Sequence, residues 1–431
     1  CLSFSLSLMS LKLRLKNDWG RLGMSSEWKT YTVQELIDAG MLDEPLDGNH
    51  GSIHPKTSDY VSAGVPFIMA NNLINGKVDY ANCAYITEAQ ASTLRKGFSK
   101  PGDVLLTHKA TIGRTAIVSD EYDTIILTPQ VTYYRVKKGI SNRYLKYYFD
   151  SSTFQRLFAN WAGAGSTRAY LGITAKRKLP IVLPPYEVQL KIAKCCGVLD
   201  DKIYQNQRIN DNLYAQAKAI KKQWVAKSKG RYEILPLIEV AAINPDTYSP
   251  KEAWKYVNYL DTSSITDGFI ADIQHIVPSS EKLPSRARRK VAAGDVLFST
   301  VRPNQNHFGI ISDPLPNMLA STGFADIRSK NPLVCNELIY LCLTEWDFIE
   351  KMQQLAEQST STFPSIKPSD LGTCQIPCPK DESSDAFTDT LKSLFALIAA
   401  NFRENSSLAT MREALLPKLM SGEIDVSAVQ L

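Results

Sequence analysis

The chain has 431 residues, 44% of them hydrophobic and 22% charged, which allows two to four domains at about 150 residues each and rules out a disordered tail. Lys plus Arg number 49 against 44 Asp plus Glu, so the formal charge of +5 permits nucleic-acid binding only through local patches. The eight cysteines contain no C-x-x-C pair and stand beside five histidines, which points to reduced thiols in a cytoplasmic protein and away from a zinc site.

No apolar run approaches the ~18 residues that a membrane span needs, so no membrane partner is expected. Residues 1–24 read as an N-terminal extension that is not native. Its charges follow its apolar stretch, the reverse of a secretory signal, and Met24 precedes the first fold-like segment, Glu27-Trp28-Lys29.

Self-comparison shows that the chain is written twice. Gly102-Asp103-Val104-Leu105-Leu106-Thr107 recurs as Gly294-Asp295-Val296-Leu297-Phe298-Ser299, and Ile74-Asn75-Gly76-Lys77-Val78 recurs as Thr266-Asp267-Gly268-Phe269-Ile270, both at an offset of 192. The first copy predicts strands over 102–107 and 124–136 and an amphipathic helix over 142–160. The second predicts strands over 256–261, 294–300 and 307–312 and a helix over 336–357. Each copy is α+β.

Each copy then runs into a long heptad helix. Ile192, Cys196, Leu199, Ile203, Asn206, Asn210, Leu213, Ala217, Ile220 and Trp224 step by 4 and 3, as do Phe387, Leu391, Leu394, Ile398, Asn401, Asn405, Leu408, Arg412, Leu415 and Leu419. That spacing is the a/d rule of a coiled coil, and two central asparagines on each seam favour a polar partner that fixes register. Arg412 is a blemish on the seam, and Pro417 is expected to end or kink the second helix. A 33-residue helix spans about 50 Å at ~1.5 Å per residue.

Motifs that would carry chemistry are incomplete. Leu183-Pro184-Pro185-Tyr186 resembles the Pro-Pro element of DNA amino-methyltransferases, but leucine cannot hydrogen-bond a target amine, so it reads as a strand end before a helix. Trp161-Ala162-Gly163-Ala164-Gly165 follows a helix instead of opening one, and reads as a loop rather than a cofactor cradle. No phosphate loop is present, and Asp200-Asp201-Lys202 lies inside the first heptad helix.

Basic and amide residues concentrate at matched places. Copy one holds Lys100 just before its Gly-Asp-Val strand, Thr107, His108, Lys109 and Arg114 at and after the strand's end, and Arg168 further on; copy two holds Arg288 and Arg289 before the corresponding strand and Arg302, Asn304, Gln305 and Asn306 after it. Arginine can grip guanine, and asparagine or glutamine adenine, in the major groove, while other cations would position phosphates. These twelve are the candidate DNA-binding residues; Ile192, Leu199, Ile203, Asn206, Asn210, Leu213, Leu394, Ile398, Asn401, Asn405 and Leu408 are the candidate helix and subunit interface. No catalytic or metal-ligating residue is expected.

The duplicated module, the Gly-Asp-Val-Leu strands, Phe298-Ser299-Thr300-Val301-Arg302-Pro303, Ser321-Thr322-Gly323-Phe324 and Leu415-Leu416-Pro417-Lys418-Leu419-Met420-Ser421-Gly422 resemble the DNA specificity subunits of type I restriction-modification systems over residues 25–425. The resemblance implies two pseudo-symmetric α/β target recognition domains, 25–185 and 229–379, separated by two long antiparallel coiled-coil helices, 186–228 and 380–422, with a tail over 423–431. It implies a non-catalytic subunit that reads a bipartite, gapped target in double-stranded DNA. Modification subunits, two in number, and a restriction subunit would be its partners, and S-adenosylmethionine, ATP and Mg would belong to them. One departure is Val188, where the family has a glutamate before Gln189. The alternative is a scaffold holding two modules for a ligand other than DNA.

Overall fold

The computed structural model describes residues 28–163, 169–359 and 363–431; the extension over 1–24 and Arg168 lie outside the described residues. The chain divides into two compact units, Cys1–Lys202 with Leu408–Leu431, and Ile203–Ser407. This division cuts both long helices, so each unit contains one α+β module and a stretch of both helices.

Within the first unit, a four-stranded sheet runs in the order Ala84–Ile86, Val65–Ile68, Ile125–Leu127, Phe98–Ser99. A six-stranded sheet runs Leu46–Asp47, Val131–Tyr134, Val104–Lys109, Thr111–Ile117, Gly76–Val78, Leu73–Ile74. The second unit repeats the scheme. Gln274–Ile276, Val257–Leu260, Met318–Ser321 and Ala287–Lys290 form one sheet, and Ala241–Ile243, Phe324–Ser329, Asp295–Ser299 and Phe308–Ile311 the other. In both first-named sheets the central pair is parallel and its outer neighbours antiparallel. Duplication in the sequence is thus duplication of topology.

The Gly-Asp-Val strands are apolar without alternation because both faces are covered. Val104 and Leu106 pack with the helical side of their module, and Leu105 packs on the opposite side; Val296 and Phe298 against Leu297 repeat the division. Ahead of each strand, Gly102 (φ +87) and Gly294 (φ +85) make a left-handed turn that disfavours any side chain. Their carbonyls accept from Asn142 Nδ2 (3.0 Å) and Asn336 Nδ2 (2.8 Å), which ties the turn to the next helix.

The aspartate after each glycine is buried and clamped. Asp103 accepts both arms of Arg135, Nε at 2.8 Å and Nη2 at 2.7 Å, and also the Lys100 amide. Asp295 accepts the corresponding arms of Arg328 at 2.7 and 2.9 Å, and the Ala292 amide. A bidentate fork matches carboxylate geometry and is stronger than a neutral hydrogen bond. The second clamp has a neighbour that the first lacks: Asp326, also buried, whose oxygens have no hydrogen-bond donor among the described residues. Burial first, and the Asp295 charge second, push its carboxyl up to about 8. Tyr133 occupies the corresponding strand position in copy one.

The helices expected over 142–160 and 336–357 are each two helices. Asn142–Asp150 and Ser152–Trp161 part at Ser151, whose extended backbone and hydroxyl cap the second by accepting from Phe154 N. Asn336–Leu343 and Trp346–Glu357 part at Thr344 and Glu345. Hydrophobic periodicity runs through both breaks and hides them. The Pro-Pro segment ends the strand Pro180–Leu183 and precedes the first long helix, Tyr186–Lys227. Here Gln189 accepts from Ser141 N and donates to Gly139 O and Pro184 O, so the anchoring falls to the amide and Val188 does not disturb it.

The second long helix, Asp385–Met420, passes through Pro417 instead of ending before it. In the last turn proline loses only its own donor, and Pro417 O still accepts from Ser421 N. Both seams are antiparallel. In the second unit Asn206 Nδ2 donates to Asn405 Oδ1 (2.9 Å), and Asn401 Nδ2 to Asn210 Oδ1 (2.7 Å); Asn210 Nδ2 also reaches Ile398 O. Leu213 and Ile398 are buried here, Ile203 and Leu394 partly so. In the first unit Ile192, Leu199 and Leu408 are buried, and the Arg412 blemish is an ion pair, Nη1 to Asp200 Oδ1 at 2.6 Å. Among the described residues no helix is long and apolar enough to cross a membrane.

Two predictions follow from these buried polar groups. N405L leaves the buried Asn206 amide without its Asn405 partner and should cost about 1–3 kcal/mol in urea denaturation, whereas N206L/N405L should recover most of that loss; equal losses in both would refute the pairing. Because Asp326 binds its proton more tightly folded than unfolded, its contribution is present below pH 4 and is lost as pH rises through about 8. D326N should therefore flatten the loss of urea resistance between pH 5 and 8. An unchanged slope would count against the buried proton.

Candidate nucleic-acid interface

Each Gly-Asp-Val strand leads to a tip built the same way. In copy one, Val104–Lys109 turns through Ala110 (φ +62) into Thr111–Ile117. A segment from beyond the helices crosses this turn: Ala110 N donates to Ala169 O (3.1 Å) and Leu171 N to His108 O (3.0 Å). In copy two, Arg302 N donates to Pro364 O and Ile366 N to Thr300 O, both at 2.9 Å. Ala110 and Arg302 thus hold one backbone place, again 192 residues apart, and both are left-handed.

Thr107 and His108, expected to face DNA, are buried instead. Thr107 Oγ1 accepts from Arg114 N and shapes the hairpin. His108 is the floor of the tip. Lys176 Nζ donates to Thr132 Oγ1 (2.8 Å), which leaves the hydroxyl proton for His108 Nδ1 at 2.9 Å, and directs the ring's own N–H at Nε2 toward Asp47, 3.6 Å away. Burial, then the Lys176 charge, pushes His108 down to about 3, so the ring is neutral. Burial also lowers Lys176 to about 8 against the pull of Asp47. Burial works against the Asp47 charge, yet Lys176 and Lys96 hold its carboxyl below the usual range. The strand itself was readable from its apolar run; which residues a crossing segment would cover was not.

Lys100, Lys109 and Arg114 are exposed in copy one. Arg288 and Arg289 are half-buried on the strand Ala287–Lys290: Arg288 Nε donates to Ser285 O, and burial lowers the Arg289 guanidinium, opposed by Asp326. Arg288 is thus tied to its own turn, while Arg289 Nε is buried with no hydrogen-bond partner among the described residues. Pro303–Gln305 forms a 3-10 turn between left-handed Arg302 and left-handed Asn306. It exposes the side chains of Asn304 and Gln305, while Gln353 of the backing helix accepts from Asn304 N (3.4 Å). Asn306 O accepts from Asp267 N, tying the loop to the Asp267-Gly268 turn, whose own motif is part of the repeat.

Two exposed aromatics escaped the sequence reading. Tyr170 (49% exposed) has its ring 5.9 Å from that of His108, and Phe363 (55% exposed) lies 4.9 Å below the Arg302 guanidinium carbon. The usable signal is a lone aromatic in a Ser/Thr/Gly-rich stretch after the second short helix, present in both copies. Exposed cations, amides and aromatic faces around a rigid turn can together hold phosphates and meet base edges.

Residues 25–215 match the family described as the type I restriction modification DNA specificity domain. The chain is 23% identical to the type I restriction enzyme MjaIX specificity subunit of Methanocaldococcus jannaschii over 446 residues, covering 97% of this chain and 99% of that protein. It is 24% identical over 163 residues to the HindI specificity subunit of Haemophilus influenzae, spanning 35% of that protein. The crystal structure of a type I restriction-modification S subunit from M. genitalium has the same fold, with a TM-score of 0.50 at 15% identity, covering 93% of this chain and 98% of that one. The chain is thus similar over nearly its whole length to a type I restriction enzyme specificity subunit, and residues 25–215 carry the matching DNA specificity domain.

Proposed function

We propose that this chain selects the DNA site for a type I restriction-modification complex. It reads a bipartite, gapped sequence in double-stranded DNA, one half through each module, and brings two modification subunits and a restriction subunit to that site. The observation that carries the reading is the repeated tip: the same turn and the same crossing segment, with different side chains displayed at equivalent places. One scaffold with two surfaces suits two half-sites of different sequence.

The division of labour follows from residue chemistry. Exposed Lys100, Lys109 and Arg114 suit phosphates, which fix position without carrying sequence, while Arg302, Asn304 and Gln305 suit base edges. Arg168 and Asn306 remain candidates of the same kind. Methyl transfer and DNA translocation require S-adenosylmethionine, ATP and Mg, which the partner subunits would hold. The long helices offer those partners a stiff surface, since their seam residues are spent on each other.

Expression of this chain with its modification subunit should produce methylated adenines in a two-part, gapped motif, read by single-molecule sequencing of host DNA. The motif should vanish when the chain is omitted. Methylation that is unchanged without the chain, in a complex shown to assemble, would contradict the reading.

A further inference from the structure

The two tips share a backbone and differ at one decisive place. Position 110 in copy one is alanine; its counterpart in copy two is Arg302, with φ 48 and ψ 67. A left-handed conformation is disfavoured for any residue with a β-carbon, and such strain persists where the surrounding structure enforces it. Here the enforcement is visible: Arg302 N is held by Pro364 O, Pro303 fixes the next φ, and Asn306 closes the turn, left-handed again.

The side chain is prepared as well. The guanidinium carbon lies 4.9 Å over the Phe363 ring, a distance at which cation–π attraction operates. Its donors make no hydrogen bond or ion pair with another described residue. A ring face at this distance restricts where the guanidinium can move without using its donors, which lowers the entropy lost when the fork meets a planar acceptor pair. Guanine O6 and N7 are that pair in the major groove.

We infer that Arg302, positioned by Phe363, is the specificity-determining residue of the second module and reads a guanine in its half-site, a discrimination that Ala110 cannot make in the first. Adenine offers N7 beside a donor, so the second arm of the fork loses its acceptor. The inference rests on the reading of the chain as a DNA-selecting subunit and deepens it.

The test compares wild-type chain, R302A, R302K and F363A, each expressed with the modification subunit, by sequencing methylated adenines. Wild type should give a gapped motif with at least one guanine in one half. R302A should relax a single guanine position of that half about tenfold and leave the other half unchanged. R302K keeps the charge and the stem but not the fork, so it should relax the same position, and F363A should do so more weakly. A motif that survives R302A and R302K without change overturns this inference and leaves the DNA-selecting reading standing. A wild-type complex that assembles but gives no motif overturns both. General loss of methylation in R302A with an unchanged, guanine-requiring motif in R302K assigns the residue to folding and overturns the inference.

Discussion

The modules depend on one interaction, the buried carboxylate at the start of each Gly-Asp-Val strand. An isolated carboxylate inside a fold is costly, and only a hydrogen-bonded ionic partner offsets the lost hydration. Arg135 and Arg328 supply both arms of a fork, and a backbone amide satisfies a further lone pair. This joins the strand to its neighbour and fixes where it begins. Because the strand is only five or six residues long, fixing its start also fixes its far end. The tips are therefore as rigid as the clamps.

The long helices solve a different problem. Apolar a/d residues would hold two helices together in several registers, since one heptad looks much like the next. Asn206 with Asn405 and Asn210 with Asn401 select one register within the second unit, while Arg412 with Asp200 gives the first unit a charged equivalent. Asp200 also takes Tyr147 Oη and Lys146 Nζ from the module's own helix. Polar groups buried on these seams thus secure alignment more than raw stability.

Much of this was legible in the sequence because duplication supplies its own control. A Gly-Asp-Val run seen once is a turn and a strand; seen twice at a constant offset, it marks a module. The heptads were equally readable, since every residue of the first seam and all but Arg412 of the second are apolar or asparagine. What the sequence hid depends on partners distant along the chain. Thr107 and His108 lie beside exposed Lys109, yet Thr107 turns into its own hairpin through Arg114 N, and the crossing segment near 170 with the Lys176–Asp47 pair encloses His108. The breaks at Ser151 and at Thr344 were masked by continuous apolar periodicity, and Phe363 gains meaning only beneath Arg302.

The central claim is that two matched tips read two separate DNA sequences. The most direct measurement is the equilibrium binding of the assembled complex, at fixed salt, to duplexes carrying both halves of its methylated motif, either half alone, or neither. The account predicts that loss of either half weakens binding by at least a hundredfold, on the scale of ~1–3 kcal/mol for each mismatched base pair. Equal affinity for all four duplexes would contradict it.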